Sequence, residues 1–283
     1  MIVEILKQAV LQNRNNGNNL YLRNILKGKI QDYILNFVYN DINYKKLIFT
    51  GGTCLRKIYG LPRLSEDLDF DFINKFNIVD FSGSIEKYFR KNLQYKKIKA
   101  KISGNKKTVF LKFPILKEIG LVRSVADSPN LFVRCDFSNK GTGNYSTDIN
   151  TISTNEFTIF ILAYDLPTLF ANKISAFLER KFFKGKEQKI SFKGRDIYDL
   201  IWFLGYSKRN NWQLQPNWER IFKTLKVNKK DVVISLLIDK IAKINKIDVI
   251  RDLTPFIETN SEIENFSDNF NKIMSSDLIK LIK

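Results

Sequence analysis

The sequence predicts an α/β fold followed by a helical domain, and three observations carry that prediction. Short apolar runs with alternating partners fill the first half of the chain. Paired glycines sit where one such run passes into a helix-like segment. From Glu156 onward apolar residues recur at helical spacing. A mixed, twisted sheet with flanking helices is therefore expected in residues 1–150, and a helical domain in residues 151–283.

Residues 1–40 read as mostly helical, interrupted by a turn at Asn15–Asn19 ("NNGNN"). "KLIFT", Lys46–Thr50, is a short strand running into Gly51 and Gly52, and "CLRKIYG" is a helix closed by Gly60. "SEDLDFDF", Ser65–Phe72, alternates as a strand: Asp67 and Asp69 share one face, while Leu68, Phe70 and Phe72 point to the core. Lys97, Lys99 and Lys101 then alternate with Ile98, Ala100 and Ile102, and after a turn at Gly104 and Asn105 the run "TVFLKF" returns. This predicts a hairpin with one basic face, with a solvated lysine edge that resists aggregation as the plainer alternative. "LFVRCDF", Leu131–Phe137, is a further strand bearing Asp136, and a polar loop is expected from Ser138 to about Thr154. "DLPTLFANKISAFLERKFF", "GRDIYDLIWFLGY" and "DVVISLLIDKIAKI" carry the apolar stripes of helices.

Composition narrows the chemistry. The 283 residues are 44% hydrophobic, enough for buried cores, and the net charge of +18 favours an anionic partner, nucleic acid foremost. Between Lys87 and Lys112 there are ten Lys or Arg and no Asp or Glu. The opening "MIVEILKQAVLQNRNN" has no cleavage site and too short an apolar run for a membrane span, so a cytoplasmic protein without membrane attachment is expected. Two cysteines exclude a disulfide framework, and no CxxC is present to hold zinc. The absence of histidine excludes Ser-His-Asp and Cys-His triads and HExxH zinc sites, leaving carboxylate, lysine or tyrosine as any general base.

Asp67 and Asp69 offer paired hard oxygens that suit magnesium, which in nucleotidyl transfer neutralises a triphosphate and activates the attacking hydroxyl. A third carboxylate is expected from a neighbouring strand. Asp136 is well placed for it, with Asp71 as the alternative. Gly51 and Gly52, between a strand and a helix, let backbone N–H groups cradle phosphate, and Thr53 is positioned to cap the helix or touch a phosphate oxygen. Neither GxGxxG nor GxxxxGK[ST] occurs, which excludes dinucleotide-binding and P-loop sites. Lys173 and Arg180, two helical turns apart, share a face able to grip a triphosphate; an ordinary salt bridge of either with Asp196 is the alternative.

"GGTCL" followed by "RLSEDLDF" resembles the GGTxL and RxSxDxDF motifs of the AbiEii/AbiGii toxin family, nucleotidyltransferases of the polymerase-β superfamily that include MenT-like toxins of type IV toxin–antitoxin systems. "ANKISAFLERK" and "GRDIYDLIWF" are similar to that family's KxxAxxxR and RDxYDL helices, in the same order, so the likeness spans Phe49–Phe203. The resemblance implies a polymerase-β-like nucleotidyltransferase domain, a helical domain completing the active-site cleft, and transfer from a nucleoside triphosphate with magnesium. Carried over by position, it gives Gly52 and Thr53 to phosphate, Asp67 and Asp69 to the metal, and Lys173 and Asp196 to the nucleotide or acceptor. Arg63 and Ser65 match the motif and are expected to position the strand and contact phosphate, with Arg56 and Arg195 as further phosphate contacts. Members act in toxin–antitoxin and phage-defence systems, and some resemble enzymes that modify the tRNA 3′ end and stop translation. An RNA acceptor and a separately encoded antitoxin are thereby implied. Transfer to a protein hydroxyl or a small molecule, and a non-catalytic RNA-binding protein, are the competing expectations.

Overall fold

The computed structural model describes residues 2–13, 18–122, 124, 126–139, 143–184, 188–210 and 214–278. Two compact units divide the chain: Met1–Thr142 with Thr147–Ala163, and Gly143–Ser146 with Tyr164–Lys283. In the first, α1 (Ile2–Gln12) and α2 (Asn19–Asn40) precede β1 (Ile48–Thr50), α3 (Gly51–Tyr59), β2 (Asp67–Asp71) and α4 (Ile78–Lys91). There follow β3 (Lys99–Ile102), β4 (Thr108–Phe113), β5 (Leu131–Ser138), β6 (Thr147–Ser153) and β7 (Thr158–Tyr164). Of the turn expected at Asn15–Asn19, residues 15–17 lie outside the described residues; Asn18 caps α2 by accepting from the N–H groups of Leu20 and Tyr21.

Seven strands form one mixed sheet in the order β3-β4-β5-β2-β1-β7-β6. β1 runs antiparallel to β2 and parallel to β7, β2 runs parallel to β5, and β3, β4 and β5 are successively antiparallel. One sheet face carries Leu68, Phe70, Val109, Leu111, Val133, Cys135 and Phe137, all buried. α4 covers it with Phe81, Ile85 and Phe89. Phe81 meets Phe137 at 4.8 Å and Phe89 meets Phe113 at 5.1 Å between ring centroids, both edge to face. Such pairs add about 0.5–1.5 kcal/mol each beyond the area they bury. The opposite face carries Asp67, Asp69, Arg134 and Asp136 and holds the candidate site.

Two expectations are corrected here. The polar loop expected from Ser138 to about Thr154 contains β6, and the stretch after Glu156 begins with β7 rather than a helix. β6 and all of β7 but Tyr164 belong to the first unit, so its sheet extends past the boundary expected at residue 150. β6 is an edge strand rich in Asn, Thr and Ser with only Ile152 buried, so its sequence carries almost no apolar alternation.

The second unit contains α5 (Leu166–Glu179), a β8 (Phe182–Lys184) and β9 (Gln188–Ile190) hairpin, and α6 (Gly194–Arg209). α7 (Trp218–Leu225), α8 (Lys230–Ile241), α9 (Lys246–Leu253) and α10 (Asn260–Leu278) complete it. Asp165 caps α5 through the Thr168 N–H. The helix stops at Glu179, where Arg180 turns to extended backbone, so "ERKFF" enters a strand instead of prolonging the helix. α5 and α6 meet through the stacked rings of Phe170 and Phe203, 4.4 Å apart. A Cβ on Gly194 would lie 2.7 Å from the Val249 carbonyl oxygen, so the start of α6 rests directly on the backbone of α9.

Tyr39 of α2 joins the helix layer to the sheet. Its hydroxyl oxygen lies 3.0 Å from the carbonyl oxygens of both Leu47 and Leu162 and shares one proton between them. Burial raises its pKa well above the ordinary tyrosine value, so it stays a neutral donor. Tyr39→Phe strips both buried carbonyls of this partner and is expected to lower stability by about 1–2 kcal/mol, read as a lower urea midpoint with unchanged slope.

Candidate active site

The first turn of α3 and the strand β2 interlock residue by residue. Gly51 has φ +80°, and a Cβ built on it would fall inside the Asp69 carboxylate. A Cβ on Gly52 would lie 2.8 Å from Arg63 Nη2 and 3.1 Å from Ser65 Oγ. Thr53, fully buried, donates its hydroxyl to the Asp67 carbonyl oxygen. Glycine is thus required twice, once for its backbone and twice for closeness. Thr50 gives α3 no side-chain cap, and the Asp69 carboxylate lies against the first turn of the helix.

This geometry places several of the expected phosphate contacts in the joint between α3 and β2. Thr53 faces β2 rather than solvent. Arg63 and Ser65 are buried: Arg63 Nη1 donates to the Leu64 carbonyl at 2.8 Å, and the Ser65 carbonyl accepts from Gln31 Nε2 at 3.2 Å. Arg56 donates to the carbonyls of Pro62 and Arg63, at 2.9 and 3.0 Å. Together these side chains fix the 62–65 segment that delivers β2.

On the open face, register decides which carboxylates meet. Asp69 is the direct partner of Asp136 across the parallel β2–β5 pair and of Thr50 on β1. Asp67 is the partner of Arg134. Arg134 Nη2 donates to Asp67 Oδ2 at 2.6 Å, and its Nε lies 2.8 Å from Asp136 Oδ2, near enough to pair in charge though off the angle of a hydrogen bond. Thr108 donates to Asp136 Oδ1 at 2.6 Å. Asp71 is buried and level with Ser138, one step farther along the sheet than the Asp69–Asp136 pair. Sequence reading missed Arg134. Its signal was the alternation Arg134–Asp136, which becomes informative only once the register with Asp67 is known.

Three carboxylates on one face leave an electrostatic mark behind the sheet. The Cys135 thiol, buried on the reverse of β5, has its pKa pushed far up, first by burial and then by Asp136, Asp67 and Asp69. Acceptor-only oxygens on adjacent strands fit a hard divalent cation in kind and in facing. As the side chains stand, no three ligating residues converge tightly enough to hold a metal ion among the described residues; Arg134 supplies the positive charge between Asp67 and Asp136.

In the second unit, the two helical motifs form ionic rungs between α5 and α6. Lys173 Nζ lies 2.8 Å from Asp199 Oδ2, and Asp199 is fully buried. Arg180 Nε donates to Asp196 Oδ2 at 2.6 Å and its Nη2 to Oδ1 at 3.3 Å. Arg195 is held by Asp252, through its backbone N–H at 3.0 Å and Nε at 3.3 Å, and lies 4.2 Å from the Phe256 ring centre. Of the two salt bridges weighed from sequence, Arg180 takes Asp196, while Lys173 takes Asp199, one helical turn on.

A family model described as nucleotidyl transferase AbiEii toxin of type IV toxin–antitoxin systems matches residues 39–276, well beyond Phe203, where the recognised motifs end. No curated protein matches the chain. Among solved structures, the chain is similar to the nucleotidyltransferase toxin MenT4 from Mycobacterium tuberculosis H37Rv, at 12% identity and a TM-score of 0.53, covering 99% of this chain and 92% of that one. JHP933 from Helicobacter pylori is similar at 15% identity and a TM-score of 0.49, covering 90% and 93%. At its identity the MenT4 likeness establishes the fold alone.

Two outcomes follow from the site's packing. Gly51→Ala forces either the helix or Asp69 to move and is expected to lower stability by about 1–3 kcal/mol, measured by urea unfolding. Cys54 and Cys135 are both buried, and the raised pKa keeps the Cys135 thiol neutral through pH 9. A thiol reagent at pH 8–9 should therefore label neither cysteine in the native protein and both after unfolding; rapid native labelling of Cys135 would contradict this placement.

Proposed function

We propose, because the chain belongs to the AbiEii family of nucleotidyltransferase toxins of type IV toxin–antitoxin systems, that it transfers nucleotides from a nucleoside triphosphate to an RNA acceptor. The tRNA 3′ end is the foremost acceptor, and its modification blocks translation. The observation that carries this reading is the register that sets Asp69 beside Asp136 and one step from Asp67, at the glycine-built start of α3.

In this reading Asp67, Asp69 and Asp136 hold magnesium, which when bound neutralises the triphosphate and lowers the pKa of the attacking hydroxyl. The first-turn N–H groups of α3, at Gly51, Gly52 and Thr53, receive phosphate oxygens, where the helix dipole favours negative charge. Thr53, Arg63, Ser65 and Arg56 act through the backbone they hold, keeping β2 against α3. Arg134 orients Asp67 and Asp136 and limits their mutual repulsion. Lys173 and Asp196 serve the nucleotide or the acceptor, each set in direction by its partner, Asp199 and Arg180. A basic chain of net charge +18 supports an RNA acceptor, since phosphate neutralisation supplies affinity without sequence readout. Family membership implies a separately encoded antitoxin as partner. Among the described residues no helix is long and apolar enough to cross a membrane.

The test is incubation with total tRNA, magnesium and each labelled nucleoside triphosphate in turn. Label at tRNA size is expected, abolished by chelation and by Asp69→Ala, with the variant's unfolding free energy from urea titration within about 1 kcal/mol of the parent's because Asp69 is not part of the core. Undiminished transfer by Asp69→Ala would sink the mechanism, and label on protein instead of RNA would move the acceptor to a hydroxyl side chain.

A further inference from the structure

The open face of the sheet continues outward from the carboxylates in two ordered rows. Side chains of directly paired residues share a face, so Asp67, Arg134, Phe110 and Lys101 form one row across β2, β5, β4 and β3. Phe132, Lys112 and Lys99 form the next. Rings and cations therefore alternate along the first row from Arg134 to Lys101 and along β4 and β5, and both rows end on a lysine of β3. Phe110 and Phe132 are 37% and 47% exposed although each is a large apolar side chain within a paired strand, and Lys99 and Lys101 are exposed beside them. Lys97, in contrast, lies outside β3 and pairs with Glu118 at 3.1 Å. At the usual strand spacing, Phe110 stands about 10 Å from the Asp67 strand.

Single exposed aromatics are common and need no account. Two on one sheet face, interleaved with lysines and in line with an acidic centre, match the chemistry of an unpaired polynucleotide strand. Rings accept the flat faces of bases, and ammonium groups accept the phosphates between them. We infer that Phe110 and Phe132, with Lys99, Lys101 and Lys112, are a stacking platform for unpaired bases of the acceptor RNA next to its reactive end. The enzyme then takes a single-stranded RNA terminus and discriminates against a blunt duplex, whose bases are already stacked on each other. This inference rests on the RNA-acceptor reading above.

The experiment is a fluorescence anisotropy titration of the full chain, without nucleotide, against a short single-stranded RNA and a blunt duplex of the same sequence. Phe110→Ala and Phe132→Ala are each expected to weaken single-strand binding by about 5- to 100-fold and to leave duplex binding within about twofold. Trp at either position should retain single-strand binding, whereas Leu, which keeps apolar area without a ring, should behave as Ala does. Phe160→Ala, on β7 and outside these rows, is the control for a general effect of losing an exposed ring and should bind as the parent does. Parent-like single-strand binding by the Ala variants, equal losses on both RNAs, or full retention by Leu would each overturn the platform. Because the readout is binding, the two readings separate. Ring-dependent binding without any transfer to RNA would remove the catalytic reading alone. Transfer to RNA at parental KM by the Ala variants would remove the platform alone.

Discussion

The closeness of α3 to β2 is the constraint on which the rest of the site depends. A helix normally approaches a strand no nearer than its side chains allow, and here two glycines remove that limit. Gly51 admits the Asp69 carboxylate, Gly52 admits Arg63 and Ser65, and Thr53 closes the contact with a hydrogen bond to the Asp67 backbone. Two motifs separated by about a dozen residues are thus the halves of one packing joint. Most of their polar side chains face inward, where their work is to set the position of a strand to within the tolerance that juxtaposed carboxylates require.

The second unit applies a related principle with charge instead of closeness. Asp196 and Asp199 are buried on α6, and each is matched by a cation, Lys173 on α5 and Arg180 just past its end. A buried carboxylate without its partner is strongly destabilising, while the pair itself adds little net stability. Each pair leaves no carboxylate of α6 alone in the core. Lys173 and Arg180 are held in place by this ladder, and a substitution in any rung acts on its neighbours as well as on the residue replaced.

How much of this was legible in the sequence depended on how local each signal was. The β1–α3 turn, the alternation of Asp67 and Asp69, the basic hairpin and the long helices all rest on residues a few positions apart, and all are present in the fold. Arg134 was hidden because its role is created by the β2–β5 register, a pairing between residues 67 apart. The choice of Asp199 for Lys173 was hidden for the same reason, since both aspartates lie on the helix face that α5 meets. β6 and β7 were lost to composition: "TDINTIS" is polar at nearly every position, and Phe160 points to the solvent side of β7, so apolar residues there run in succession. Burial of Thr53 and Arg63 was equally out of reach, because a conspicuous polar residue in a motif reads as a ligand contact until its neighbours are known.

Arg134 has a consequence for what balances the acidic strands. A guanidinium keeps its charge at every physiological pH, so the acidic strands carry their own counterion and do not rely on a borrowed one to remain folded. The juxtaposed carboxylates of Asp67 and Asp136 are in this way balanced from within the sheet itself.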